Sequence, residues 1–179
     1  MSLSQREYTY CPVSAHPLRK ELRGGRERNV CTDPDCGFVQ WDNPTPVVAA
    51  IVEHDGQVVL VRSIGRPATW FGLVAGFLER AEHPDQAVLR EIEEEVGLIP
   101  ETCDYLGCYA FERMNQIIFA YHATVPSLDI TLCEQELDAF KIVPIDQLRP
   151  WTQGTGPALR DWLLTRGFAP PAVNFGEHV

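Results

Sequence analysis

Residues 76–98 read GFLERAEHPDQAVLREIEEEVGL, and both the fold and the chemistry of the chain turn on this stretch. Residues 84–96 carry the marks of one helix. Pro84 suits a first turn, where the N–H it lacks would have no partner anyway. Asp85 suits the positive N-terminal end of the helix dipole, and Gly97 suits a left-handed residue just past the other end. At about 100° per residue, Val88, Leu89, Ile92 and Val96 share one apolar face. Glu91 and Glu95 border that face with Glu94 beside them, while Gln86, Arg90 and Glu93 point towards solvent. Carboxylates at i, i+3 and i+4 repel one another and weaken a helix unless positive charge sits among them. A solvated acidic face is the plain reading of such a run. A site for a hard divalent cation such as Mg2+ or Mn2+, which takes carboxylate oxygens and water, is the chemical one.

The spacing decides between the two. Gly76, Glu82, Arg90, Glu91, Ile92, Glu94, Glu95, Gly97 and Leu98 fill every fixed position of G-x5-E-x7-R-E-U-x-E-E-x-G-U, where U is aliphatic. This sequence resembles a Nudix hydrolase. The resemblance implies an α/β fold, the Nudix α/β/α sandwich with a mixed sheet, and hydrolysis of a nucleoside diphosphate linked to another moiety. It also implies metal ions held by glutamates of the motif. A pyrophosphate bridge resists hydrolysis because its anionic oxygens repel a nucleophile, and bound metal ions relieve that repulsion. Glu91, Glu94 and Glu95 are the expected metal ligands and catalytic groups, with Glu82 reaching the same cluster directly or through water. Arg90 is expected to pair with these carboxylates, and Gly76 to let the backbone approach them closely. The general base is either a glutamate of the motif or an acid of the later loop Cys133-Glu134-Gln135-Glu136. Of these, Glu136 resembles the additional metal-binding glutamate of NADH pyrophosphatases; a solvated loop charge is the alternative.

Substrate choice must come from outside the motif. Ala75-Gly76-Phe77 resembles the NADH-pyrophosphatase form of this strand, which implies that Phe77 stacks on a base. Trp70 and Phe111 are further candidates for the same pocket. The stretch 107–114, GCYAFERM, lacks the Pro- and aromatic-rich motif that NADH pyrophosphatases carry after the Nudix motif. The expected substrates are therefore ADP-ribose as well as NAD(H)-type dinucleotides. A nucleotide-sensing or RNA-binding module on the same scaffold, or removal of a nicotinamide cap from RNA, is the alternative.

The chain of 179 residues fits one ordinary domain with a small appendage, residues 1–43 before 44–179. A net charge of −10 argues against a general nucleic-acid-coating protein but not against a polyanion that arrives with metal ions. No apolar run is long enough for a membrane span and no export signal stands out, so a cytoplasmic protein is expected. Among six cysteines, Cys103, Cys108 and Cys133 sit in apolar segments and read as small core hydrophobes. Cys11, Cys31 and Cys36 lie in a Pro-, Gly- and Arg-rich region that calls for a staple. The two knuckles resemble the zinc ribbon that precedes the Nudix domain in NADH pyrophosphatases, which also implies a homodimer. Ser14, however, stands where the pattern has a fourth cysteine. Three readings are open: Zn2+ held by Cys11, His16, Cys31 and Cys36; zinc held by three cysteines and water; or a ribbon without metal. The run Arg19, Lys20, Arg23, Arg26, Arg28 between the knuckles reads as an exposed hairpin or a phosphate-contacting loop. Further on, strands are expected at 47–53, 58–62, 70–77, 102–111, 115–125 and 139–144, with an Asp-Gly turn at 55–56 and a helix at 157–166.

Overall fold

A computed structural model describes residues 8–175. The elements run β1 (Leu18–Arg23), β2 (Arg26–Cys31), β3 (Val39–Gln40), β4 (Thr45–His54), β5 (Gln57–Ser63), β6 (Val74–Phe77), α1 (Pro84–Val96), β7 (Thr102–Phe111), β8 (Gln116–Thr124), β9 (Leu137–Pro144) and α2 (Gly156–Thr165). They fall into two compact units. The described residues up to Pro44, with Arg113–Asn115, make the first; Thr45–Glu112 and the chain from Gln116 onward make the second.

In the first unit β1, β2 and β3 form an antiparallel sheet. Gly24 and Gly25 both take positive φ, which a two-residue hairpin turn requires. The Asn29 amide donates to Gln40 Oε1 at 2.8 Å across β2 and β3. Arg28 lies over the Trp41 ring and donates to the Trp41 carbonyl.

In the second unit six strands form one mixed sheet in the order β7-β8-β4-β5-β9, with β6 paired to β4. Only β4 and β8 run parallel. The β4–β5 hairpin closes through Asp55 and Gly56, both at positive φ, as an Asp-Gly turn should. β5 pairs with β4 only at Val52–His54, while its other edge pairs with β9 along its whole length. The freed edge, Val47–Ala50, is taken by β6. This fork explains why β6 covers only Val74–Phe77 rather than the whole run 70–77. Upstream, Trp70 N–H donates to the Pro67 carbonyl in a turn, and Gly72 bridges to Val61.

β4 is apolar at nearly every position because both faces of the sheet are covered. Val48, Ala50 and Val52 pack with Val88, Ile92 and Val96 of α1 on one face. Ile51, Val58 and Leu60 pack with Leu159, Trp162 and Leu163 of α2 on the other. Burial of each of the three large α1 side chains contributes roughly 1.5–3 kcal/mol. Beyond α2, Glu53 is held between His122 at 2.6 Å and Arg166 at 3.0 Å. Among the described residues no helix is long and apolar enough to cross a membrane.

Helix α1 differs from its expected phase in one respect. Leu89 is exposed, and the buried positions are Ala87, Val88, Glu91, Ile92, Glu95 and Val96. The apolar stripe is thus rotated so that two glutamates, not Leu89, lie against the sheet. Cys108, expected among small core hydrophobes, is also exposed.

Candidate active site

The strand-to-helix connection β6–α1 builds the site. α1 starts at Pro84 behind an N-cap residue, His83, whose ring accepts from Asp85 N–H. Tyr121 of β8 donates to Asp85 Oδ1 at 2.6 Å and ties this first turn to the sheet. The helix ends at left-handed Gly97, whose N–H bonds the Glu93 carbonyl. Two carbonyls of the last turn, those of Glu95 and Val96, accept from Cys133 N–H and Thr131 N–H, both at 3.0 Å. The loop before β9 therefore caps the helix, and the same loop carries Glu136.

One row across four strands of the sheet passes beneath this helix. Gly76, Val48, Phe119 and Cys108 are paired in register across β6, β4, β8 and β7. Glu91 lies directly over Gly76: a Cβ there would fall 1.9 Å from its Cδ. Glu95 sits one turn further, and its Oε2 accepts from Ala75 N–H at 3.3 Å. Arg90 does not face open solvent. Its guanidinium donates to Glu82 at 2.8 Å, Glu91 at 2.9 Å, Glu94 at 2.8 Å and the Phe77 carbonyl at 3.1 Å.

The electrostatics sort these acids. Hydrogen bonds from Arg90 hold Glu82 down at about 2. Burial pushes Glu91 up despite Arg90. Burial, with the charges of Glu91 and Glu136 added, pushes Glu95 up to about 8 against the single Ala75 N–H. Two buried carboxylates and a third acid thus share one patch with too little positive charge. Among the described residues, no three of these acids bring oxygens within 4.8 Å of one another. Arg90 draws Glu82, Glu91 and Glu94 to itself, and Ala75 holds Glu95. The donor set nonetheless suits a hard divalent cation: all ligand atoms are oxygen, and added positive charge removes the penalty on Glu91 and Glu95.

A pH prediction follows from Glu95. Its folded pKa, about 8, exceeds its ordinary value of 4.5, so between these values the folded state binds the extra proton. Stability from this group therefore falls as pH rises through that window. The depressed pKa of Glu82 acts only below 4.5 and leaves the window clear. Without divalent metal, Glu95→Gln is expected to gain melting temperature over the wild type as pH goes from about 5 to about 8. Mg2+ should stabilise the wild type more at the upper pH than at the lower. Thermal melts at both pH values check this; a gap that closes with rising pH would contradict it.

The aromatic candidates divide. Phe77 is half-exposed at the end of β6 and pairs in register with Val47, Ile118 and Tyr109 on the face opposite α1. Phe111 packs on the same floor, made of Val47, Ala49 and Ile118, together with Tyr109. Trp70 instead meets the edge of Phe175, centroids 5.3 Å apart, in the aromatic group that includes Trp151. Sequence reading also passed over the Ala75 N–H, which orients Glu95. A backbone donor leaves no signal in residue type.

In the first unit the Sγ atoms of Cys11, Cys31 and Cys36 all lie within 4.8 Å of one another. Val13 N–H and Asp33 N–H each donate to a thiol, at 3.4 Å to Cys11 and 3.4 Å to Cys31. His16 is not brought into this group. Its ring faces Asp33 at 3.6 Å, because the turn that places Cys11 sends the side chain outward.

A family model described as the NUDIX domain matches residues 42–162. The NAD-capped RNA hydrolase NudC of Pseudomonas aeruginosa is 29% identical over 117 residues, covering 65% of this chain and 42% of that protein. The mitochondrial NAD(P)H pyrophosphatase NUDT13 of Mus musculus is 26% identical over 176 residues, covering 96% of this chain and 49% of that protein. The chain spans less than half the length of these two relatives. A Nudix hydrolase from Nitrosomonas europaea superposes with a TM-score of 0.72 at 22% identity, covering 93% of this chain and 97% of that one, a likeness of fold. With the model matching well over half of its length, the chain belongs to the Nudix family.

Proposed function

We propose that this chain is a divalent-metal-dependent pyrophosphohydrolase that cleaves the diphosphate of ADP-ribose or an NAD(H)-type dinucleotide. The observation that carries this reading is the pair of buried carboxylates, Glu91 directly above Gly76 and Glu95 at the Ala75 N–H. Mg2+ or Mn2+, when bound, supplies charge neutralisation of the diphosphate and activation of water. Glu91, Glu94 and Glu95 hold the metal, and Glu82 supports them through Arg90. Arg90 acts as the positioning residue, since it fixes the angles of three acids at once. Glu136, on the loop that caps α1, takes the proton from the attacking water at its carboxylate. Phe77 stacks on the base, and Phe111 walls the adjoining apolar floor. Trp70, packed edge-on against Phe175, is the weaker candidate for base contact.

A second substrate class has its own support. The acidic composition spoke against nucleic acid, yet relatives at 29–34% identity are named NAD-capped RNA hydrolases. The arginine-rich hairpin β1–β2 is available to contact phosphates. The test is a panel of ADP-ribose, NADH, NAD+ and a short NAD-capped RNA, with AMP or 5′-monophosphate release measured in Mg2+. Turnover highest on a free dinucleotide or ADP-ribose and reduced by Phe77→Ala through a raised KM supports the main reading. Highest turnover on capped RNA with a steep salt dependence moves the substrate to RNA. Binding without release on every compound would replace hydrolysis by sensing.

For the first unit, the three thiols are read as a structural zinc site of ribbon type. Their spacing suits tetrahedral Zn2+, whose sulfur ligands stand about 3.8 Å apart at the usual bond length of about 2.3 Å. Cys11 and Cys36 stand 3.5 Å apart.

A further inference from the structure

We propose that this metal is held by the thiolates of Cys11, Cys31 and Cys36 only, and that the fourth position, faced by the Ser14 hydroxyl, is open to exchange. The inference rests on the zinc reading just given and concerns what completes the site. Ser14 Oγ lies 3.2 Å from Cys31 Sγ. The three sulfurs lie within 4.8 Å of one another, so this hydroxyl stands at a corner beside the cluster.

His16 is excluded from that corner by the fold of its own turn. Cys11 N–H donates to the His16 carbonyl at 2.8 Å, and Ala15 N–H donates to the Cys11 carbonyl at 2.9 Å. Ala15 takes a left-handed φ of 59° to close this turn. The chain between Cys11 and His16 thus folds back on itself, and the imidazole leaves on the outer side, half-exposed and beside Asp33.

A serine hydroxyl carries no charge at neutral pH and competes with water on nearly equal terms, unlike a thiolate or an imidazole. The resulting site has three anionic ligands and one neutral, replaceable oxygen. A small external ligand should enter there, and the metal should leave more readily than from a site of four thiolates.

Co2+ titrated into the chain of 179 residues reads this directly, since thiolate-to-cobalt absorption grows with the number of thiolates. The wild type should bind one equivalent, and added imidazole should shift its visible bands. Ser14→Cys should raise the charge-transfer absorption by about a third, in step with four thiolates in place of three, and lose the imidazole response. Its metal should also resist a competing chelator at least about tenfold better, since even outer partners of a metal ligand shift affinity by that much. His16→Ala should match the wild type. A wild-type spectrum blind to imidazole, together with collapse in His16→Ala, would overturn the open position and leave the zinc reading standing. Cobalt bound by Ser14→Cys alone would overturn the proposal in favour of a native cluster without metal. Failure of both proteins to bind would remove the zinc reading itself.

Discussion

Glu94→Gln is expected to lower turnover by about two to four orders of magnitude while leaving the melting temperature within a few degrees of wild type. Glu94 is the most exposed of the motif acids, with 60% of its side chain accessible, and its hydrogen bond is to Arg90 at 2.8 Å. Glutamine keeps the shape and can still accept from Arg90. The structural loss is that of an exposed i,i+4 pair, about 0.3–0.5 kcal/mol. The catalytic loss is that of a charged metal ligand, about 3–5 kcal/mol of transition-state stabilisation, where each 1.36 kcal/mol is tenfold in rate. The two effects differ by an order of magnitude, so kcat in saturating Mg2+ beside a thermal melt separates them. Glu93→Gln, one position earlier on the exposed side of α1, is the control and should leave both readings unchanged. Turnover near wild type in Glu94→Gln would remove Glu94 from the ligand set.

Gly76→Ala is expected to cost at least about a hundredfold in turnover without unfolding the protein. The new Cβ would lie 1.9 Å from Glu91 Cδ and 2.0 and 2.1 Å from its two oxygens. All three atoms belong to the far end of a flexible side chain, so the strand can stay and the carboxylate must go. Once displaced, Glu91 leaves both Arg90 and the position above β6. The stability cost is that of modest overpacking, about 1–3 kcal/mol. Mn2+ affinity measured by electron paramagnetic resonance should fall together with kcat, while circular dichroism stays native. Full activity in Gly76→Ala would mean that the observed place of Glu91 is not its working place.

Much of this was legible in the residues, and the reasons are local. The motif spacing led to α1 because Pro84 and Gly97 mark its ends and an i, i+4 pair of glutamates is visible by counting. The Asp55–Gly56 turn followed from turn chemistry in the same way. What escaped is set by tertiary context. Leu89 looked like core because hydropathy ranks it above glutamate, yet the helix is rotated to place Glu91 and Glu95 inward. The run 70–77 looked like one strand, but β5 occupies the far end of β4 and leaves room for four residues only. His16 looked like a fourth ligand by proximity in sequence, whereas the direction of its side chain is fixed by a turn that residue type does not reveal. The capping of α1 by Thr131 and Cys133 is made by backbone N–H groups, and with the Ile64 N–H to Glu136 carbonyl bond it sets the course of the loop that carries Glu136.

Glutamates of α1 are proposed to hold a divalent cation with which the chain hydrolyses a diphosphate. AMP release from ADP-ribose and NADH by the wild-type chain, followed in Mg2+ and again after exhaustive chelation, tests it most directly. The expected result is turnover in Mg2+ that disappears on chelation, returns on adding Mg2+ or Mn2+, and is at least about a hundredfold lower in Glu94→Gln whenever metal is present. Release that persists undiminished in chelator, or that Glu94→Gln supports as well as the wild type, would contradict it.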